Sequence, residues 1–280
     1  MSSLDHRIAE LRQRLGELGQ AVVCFSGGVD SGYLLAETVA ALGPDALGLT
    51  AVSPSLAPEE RDGAARIATR LGARHLLIDT DELDDARYRA NPVNRCYFCK
   101  VEVYGQAVAA ARRLGIPHVL DGFNRDDRGD HRPGRQAARE QGVRSPLDEL
   151  GFTKANIREA ARRLGLPIWD KPALACLSSR FPYGTEITPD RLEQVAASER
   201  VLRNLGFGVC RVRHHGATAR LEVEPDAIAR LSSPKVLATV TQQLQRTGFT
   251  SVEIDPLGYR SGSLNATIPA AALKRTGVAP

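Results

Sequence analysis

Ala21-Val22-Val23-Cys24-Phe25-Ser26-Gly27-Gly28-Val29-Asp30-Ser31 decides the fold. Its first five residues form a short apolar run, the pattern of a strand buried on both faces of a sheet. Two glycines end the run, and over residues 33–42 apolar positions return at helical spacing. Upstream, Leu4, Ile8, Leu11, Leu15 and Leu18 step by three and four along one helix face. Downstream the alternation continues, with strands predicted at 46–52, 75–79 and 117–121 and helices at 58–71 and 97–114. Strands separated by helices imply βαβ units and a parallel sheet, an α/β domain. Residues 125–134 form a polar stretch long enough to be a functional loop.

The pattern changes near residue 185. Thr188-Pro189 reads as a helix start, a hydroxyl at N-cap and proline at N1, and Gly206 as its stop. Strand-like segments follow at 209–212, 221–224 and 251–254. The sequence therefore predicts a first α/β domain over 1–185 and a smaller α/β domain over 186–280, with Phe181-Pro182-Tyr183-Gly184 as the linker. No internal repeat interrupts this order.

Composition narrows the function. The chain has 280 residues, 42% hydrophobic and 25% charged, which excludes disordered and collagen-like classes. No stretch approaches the ~18 apolar residues of a membrane span, and the first residues lack a secretory apolar core. Five cysteines are too few for a disulfide scaffold, so the expected location is a reducing cytoplasm. A net charge of +4 suits anionic small molecules but is modest for a nucleic-acid surface. Most of the positive charge is arginine.

The glycine turn carries the first chemical signal. Glycines after a buried strand let the backbone approach an anion, and the N–H groups of the next helix start point toward it. Ser26 and Ser31 add hydroxyls, and Asp30 can hold the magnesium that accompanies a pyrophosphate. No Gly-Lys-Ser/Thr follows, so this is not a Walker A loop. A plain serine-capped turn is the competing reading. The cysteines carry the second signal. Cys96 and Cys99 form a CxxC at the start of a predicted helix, open to three readings: a redox or cluster pair, half of a structural zinc site, or two core cysteines. Cys176 is a third candidate, with Lys171 and Arg180 near in sequence to favour its thiolate. Cys24 and Cys210 lie inside apolar strands and read as packed hydrophobes. In the later part, Arg211 and Arg213 share one face of a strand and can form a fork for phosphate, with a solvated basic edge as the alternative.

Ser26-Gly27-Gly28-Val29-Asp30-Ser31 resembles the SGGxDS signature of the N-type ATP pyrophosphatases, the PP-loop superfamily, whose members adenylate an acyl or carbonyl oxygen. With it, the segments at 91–100 (NPVNRCYFCK), 169–184 (WDKPALACLSSRFPYG), 211–216 (RVRHHG) and 219–225 (ARLEVEP) resemble the LarE family, from about residue 4 to 265. That resemblance implies a PP-loop fold and an ATP-dependent enzyme of nickel-pincer cofactor synthesis, releasing AMP and pyrophosphate. It would convert the carboxylates of pyridinium-3,5-biscarboxylic acid mononucleotide to thiocarboxylates. It assigns Ser26, Gly27, Gly28, Asp30 and Ser31 to ATP and magnesium, with Thr50 and Asp121 at neighbouring strand ends. It gives Arg211 and Arg213 to the substrate phosphate, and Glu199 and Glu222 to acidic site positions. Family members either sacrifice the sulfur of the cysteine at Cys176 or use a CxxC with that cysteine to hold a 4Fe–4S cluster carrying sulfide. Cys96, Cys99 and Cys176 together match the second type. A homo-oligomer is also implied, and the sulfide donor is open. The rivals are a tRNA thiolase and an ammonia-using amide synthetase.

Overall fold

The apolar run at residue 21 is the second strand from one edge of a parallel sheet. The computed structural model describes residues 3–129, 134–172 and 175–260, and they divide into two units. The first comprises residues 1–82 with 95–174. Its elements are α1 (Ser3–Gly16), β1 (Ala21–Cys24), α2 (Val29–Leu42), β2 (Ala46–Val52), α3 (Pro58–Arg70), β3 (Arg74–Asp79), α4 (Arg95–Arg113), β4 (Val119–Leu120), α5 (Gly134–Glu140) and α6 (Lys154–Arg163). The strands run in the order β3-β2-β1-β4, every pair parallel.

Strand period explains how one short run serves two cores. Successive side chains point to opposite faces. Ala21, Val23 and Phe25 pack with Leu11 and Leu15 of α1, Tyr33 and Leu34 of α2, Ala64 of α3 and Ile157 of α6. Val22 points the other way, into Leu47, Leu49, Val119 and the alanine face of α4, Ala107, Ala110 and Ala111. Each fully buried valine or leucine contributes roughly 1.5–3 kcal/mol, which is how a four-residue strand specifies the centre of the sheet.

Boundaries depart from expectation where the sheet is irregular. β4 is only two residues long, and on its edge away from β1 a single bridge joins Leu120 to Arg144. The polar stretch at 125–134 opens with a 3-10 turn, Arg125–Gly129, and α5 begins at Gly134; residues 130–133 lie outside the described ones. No helix among the described residues is long and apolar enough to cross a membrane.

The second unit comprises residues 83–94 with 175–280. Its elements are α7 (Pro189–Asn204), β5 (Cys210–His215), β6 (Thr218–Val223), α8 (Pro234–Arg246) and β7 (Ser251–Ile254). β5 and β6 are antiparallel, while β6 and β7 are parallel. Thr188 caps α7 by accepting from the Arg191 N–H, and Pro189 opens it. Cys210, Val212, Leu221 and Val223 share one sheet face with Leu202, Val240, Leu244 and Phe249 in the core.

The contacts place the change of unit near 174, earlier than the expected 185, and carry Leu83–Asn94 with the later part. The stretch read as a linker is packed: Phe181 is fully buried, and Asn91, itself at φ 51°, donates its side-chain amide to the Pro182 carbonyl at 2.8 Å. Gly184 and Ile187 donate back to the carbonyls of Asn91 and Arg89. Proline and glycine there build a turn, not a flexible joint.

Candidate active site

In the first unit every parallel strand ends toward the same side, where ligands bind in open α/β sheets. β1 ends in the glycine turn. Gly27 has φ 75°, a left-handed conformation favouring glycine, and a Cβ there would also stand 3.2 Å from that of Ala64. Gly28 is the N-cap of α2 and supplies no side chain to cap the first-turn N–H groups. Ser26 and Ser31 face each other, Oγ to Oγ 3.1 Å, and the Ser26 N–H donates to Ser31 Oγ at 3.2 Å. The loop thus sets two hydroxyls and the uncapped first turn of α2 at the positive end of a 14-residue helix.

Asp30, in the first turn of α2, pairs one carboxylate oxygen with Lys154. Its other oxygen, Oδ1, is buried without a hydrogen-bond partner. A buried carboxylate oxygen lacking a donor suits a hard cation, so Asp30 fits the magnesium expected of it. Asp121, just past β4, accepts from Tyr104 Oη and Ser145 Oγ, both at 2.7 Å, and from the Phe123 N–H. Burial and the Asp121 charge push the Tyr104 hydroxyl well above its ordinary pKa, which keeps its proton in that bond. Thr50 is buried. Its Oγ donates to the Phe25 carbonyl at 2.6 Å and so accepts from His75 Nε2 at 2.8 Å. Both bonds of this strand-end hydroxyl thus go to β1 and β3 neighbours.

Cys96 and Cys99 lie in the first turns of α4, three apart and hence neighbours on its surface; Cys96 is exposed and Cys99 half-buried. Burial pushes the Cys24 thiol up to about 12 and Cys210 to about 11, so both stay protonated, in keeping with packed roles. Cys176 belongs to the second unit and is exposed, immediately before a 3-10 turn, Leu177–Arg180. Among the described residues no group of three His, Cys, Asp or Glu side chains stands together as a metal site. The chemistry of Cys96 and Cys99 fits a pair of thiolate ligands.

The charges near Cys176 in sequence have other tasks. Lys171 reaches the Gly27 carbonyl at 3.1 Å and Glu60 at 2.9 Å. Arg180, 4% exposed, forms a two-point pair with Glu199, and its remaining nitrogen donates to the carbonyls of Ala175 and Cys176. Burial alone would raise the Glu199 pKa, but Arg180, Arg211 and the Val212 N–H bring it below the ordinary carboxylate value. Arg213 is closed on Glu222 through two bonds, 3.0 and 2.7 Å. Arg211 shares its face as expected; its guanidinium donates to the Cys210 carbonyl and lies over the Tyr259 ring, and the Glu199 carboxylate, closed on Arg180, acts on it through charge alone. Desolvation, then the charge of Arg180, pull the Arg211 pKa down.

No protein-family model matches the chain. Individual proteins do. An uncharacterized protein of Synechocystis is 46% identical over 265 residues, 95% of this chain and 99% of that protein. Pyridinium-3,5-bisthiocarboxylic acid mononucleotide synthase of Lactiplantibacillus plantarum is 39% identical over 275 residues, 98% of this chain and 99% of the synthase.

The chain belongs to the LarE family.

It is therefore an enzyme, with the PP-loop α/β fold. An uncharacterized protein of Methanocaldococcus jannaschii is a more distant relative, 28% identical over 240 residues. In this LarE-family chain, three residues on the glycine turn escaped the sequence reading or were misplaced by it. Lys154 and Lys171 reach the loop from far along the sequence, and only the fold brings them there. Gly122 is the third. A Cβ on it would lie 2.6 Å from the Ser31 nitrogen and 2.9 Å from its Cα, so the strand end and the α2 start touch backbone to backbone. Gly122→Ala is expected to shift the loop, lower stability by roughly 1–3 kcal/mol and weaken nucleotide binding. Thermal unfolding together with ATP titration checks both effects.

Proposed function

We propose that this enzyme adenylates the carboxylates of pyridinium-3,5-biscarboxylic acid mononucleotide and replaces an oxygen of each by sulfur. The observation that carries the reading is 39% identity over nearly the whole length of a synthase whose name states the bisthiocarboxylic product, joined to the SGGVDS loop at the start of α2. In this reading the 26–31 loop holds the pyrophosphate portion of ATP and Asp30 Oδ1 takes magnesium. A substrate carboxylate oxygen attacks the α-phosphorus. The bond from α-phosphorus to the bridging oxygen breaks, and its electron pair leaves with pyrophosphate, which the α2 N–H groups stabilise. The acyl-adenylate then carries a good leaving group, AMP, where the carboxylate had none.

Arg211 is our assignment for the substrate phosphate, because a desolvated guanidinium whose nearby carboxylate is closed on another arginine gains from an anion; Arg213 acts as its neighbour, held by Glu222. Cys96, Cys99 and Cys176 would hold a 4Fe–4S cluster, which when bound supplies an iron site for sulfide. Anaerobic incubation with ATP, magnesium and the biscarboxylate nucleotide, read by mass spectrometry of product and protein, tests the reading. Thiocarboxylate and AMP are expected. An amide product with ammonia, or thiolated tRNA with an untouched nucleotide, would overturn it.

A further inference from the structure

The two ammonium groups on the glycine turn come from outside it. Lys154 opens α6, with its Nζ on Asp30. Lys171 lies beyond α6, with its Nζ on the Gly27 carbonyl and on Glu60, in the first turn of α3. They touch opposite ends of the loop, at residues 27 and 30.

Their placement is unfavourable for stability alone. A cation at the first position of a helix sits at the positive end of the dipole, where carboxylates are preferred. α6 has no acidic residue in its first turn, and Thr153 with Asn156 already supplies a full capping box. Lys154 adds positive charge to an end that needed none for capping. Donor capacity points the same way. An ammonium has three N–H donors; Lys154 places one on Asp30, and Lys171 places two on Gly27 and Glu60. Each keeps a donor beside the loop. Asp30 and Glu60 offset the charge of the two lysines, so the loop carries no net negative charge from these four groups to repel a polyanion. Arginine is the common cation of this chain, yet both positions are lysine, a compact point charge suited to a single phosphate oxygen.

Resting on the ATP reading above, the geometry points to Lys154 and Lys171 as ligands of the pyrophosphate moiety, Lys154 at the Asp30 end and Lys171 at the Gly27 end. They neutralise the charge that accumulates on the leaving group when the α-phosphorus bond breaks. The Gly27 carbonyl holds Lys171 in position, and Glu60 competes with the anion for it.

Calorimetric titration of the full-length protein with inorganic pyrophosphate and magnesium, and separately with AMP, tests this. Lys154→Met and Lys171→Met are each expected to weaken pyrophosphate binding about ten- to a hundredfold while leaving AMP binding unchanged. Lys→Arg at each position should restore part of it. Glu60→Gln separates ligand from scaffold: it should bind pyrophosphate as tightly as the natural protein or more tightly. If Glu60→Gln weakens binding as much as Lys171→Met, Lys171 is an anchor only and its assignment fails. Unchanged pyrophosphate affinity in both Met variants overturns the proposal while leaving the loop reading intact. Failure of the natural protein to bind pyrophosphate overturns the loop reading itself.

Discussion

Cys176→Ala is expected to yield a folded protein that still forms AMP and pyrophosphate from ATP but makes no thiocarboxylate. The side chain is exposed, whereas its backbone is held independently: the Cys176 carbonyl accepts from the Ser179 hydroxyl at 2.8 Å and from Arg180 at 2.9 Å. Removing the sulfur therefore costs within about 0.5 kcal/mol of stability, and lost product reports chemistry. Both routes to sulfur insertion need this atom. Cys176→Ser does not rescue either, since a hydroxyl is a poor nucleophile and a poor ligand for iron. The routes part at the other pair. If sulfide arrives on a cluster, Cys96→Ala and Cys99→Ala stop turnover under anaerobic conditions with iron and sulfide supplied, and repeated turnover leaves the natural protein's mass unchanged. If Cys176 gives up its own sulfur, both variants still make product once, and the protein loses mass as Cys176 becomes dehydroalanine. Full thiocarboxylate production by Cys176→Ala would sink both.

The parts legible in the sequence were those set by local pattern. Val22 and Val23 point into different cores, and a run apolar at every position is the only way to serve both; the strand could be read because its burial is written in consecutive residues. The Thr188 cap and the Cys210–Val212 face were legible for the same reason. What could not be read depends on partners distant in the chain. The outer edge of β4 is bridged by Arg144, some two dozen positions later. Phe181 to Gly184 has linker composition, yet Asn91, ninety positions earlier, stitches it into the second unit. Within the candidate site, the Ser26-to-Ser31 motif announced itself, whereas Gly122 gave no local sign of its contact with Ser31. Sequence proximity of Lys171 and Arg180 to Cys176 suggested help for a thiolate. Their charges instead went to the glycine loop and to Glu199, since a charged side chain is held where a partner is buried, not where the chain places it nearby.

Glu199→Ala is the substitution expected to cost the second unit most. Arg180 and Glu199 are 4% and 2% exposed, and removing the carboxylate leaves a guanidinium charge buried without its partner. Breaking such a pair costs about 3–5 kcal/mol, a large part of a typical domain's stability, and urea unfolding measures it. Glu199→Gln should cost less, because the amide oxygen can still accept the Val212 N–H that Glu199 holds at 3.1 Å. The pH dependence has a definite sign. The folded pKa of Glu199 lies below its ordinary value, so its contribution is complete above the unfolded value near about 4.3. It is lost as pH falls through the lower folded value. Unfolding curves of the natural protein and Glu199→Gln should therefore converge on acidification; a constant gap down to strongly acidic pH would contradict the assignment. The same guanidinium that binds Glu199 also fixes the Cys176 carbonyl, so if Cys176 carries the sulfur step proposed above, the pair couples stability to chemistry. Glu199→Gln, assayed where it remains folded, should keep pyrophosphate release and lose thiocarboxylate formation. An equal loss of both would mean that the Arg180–Glu199 pair supports the fold without positioning Cys176.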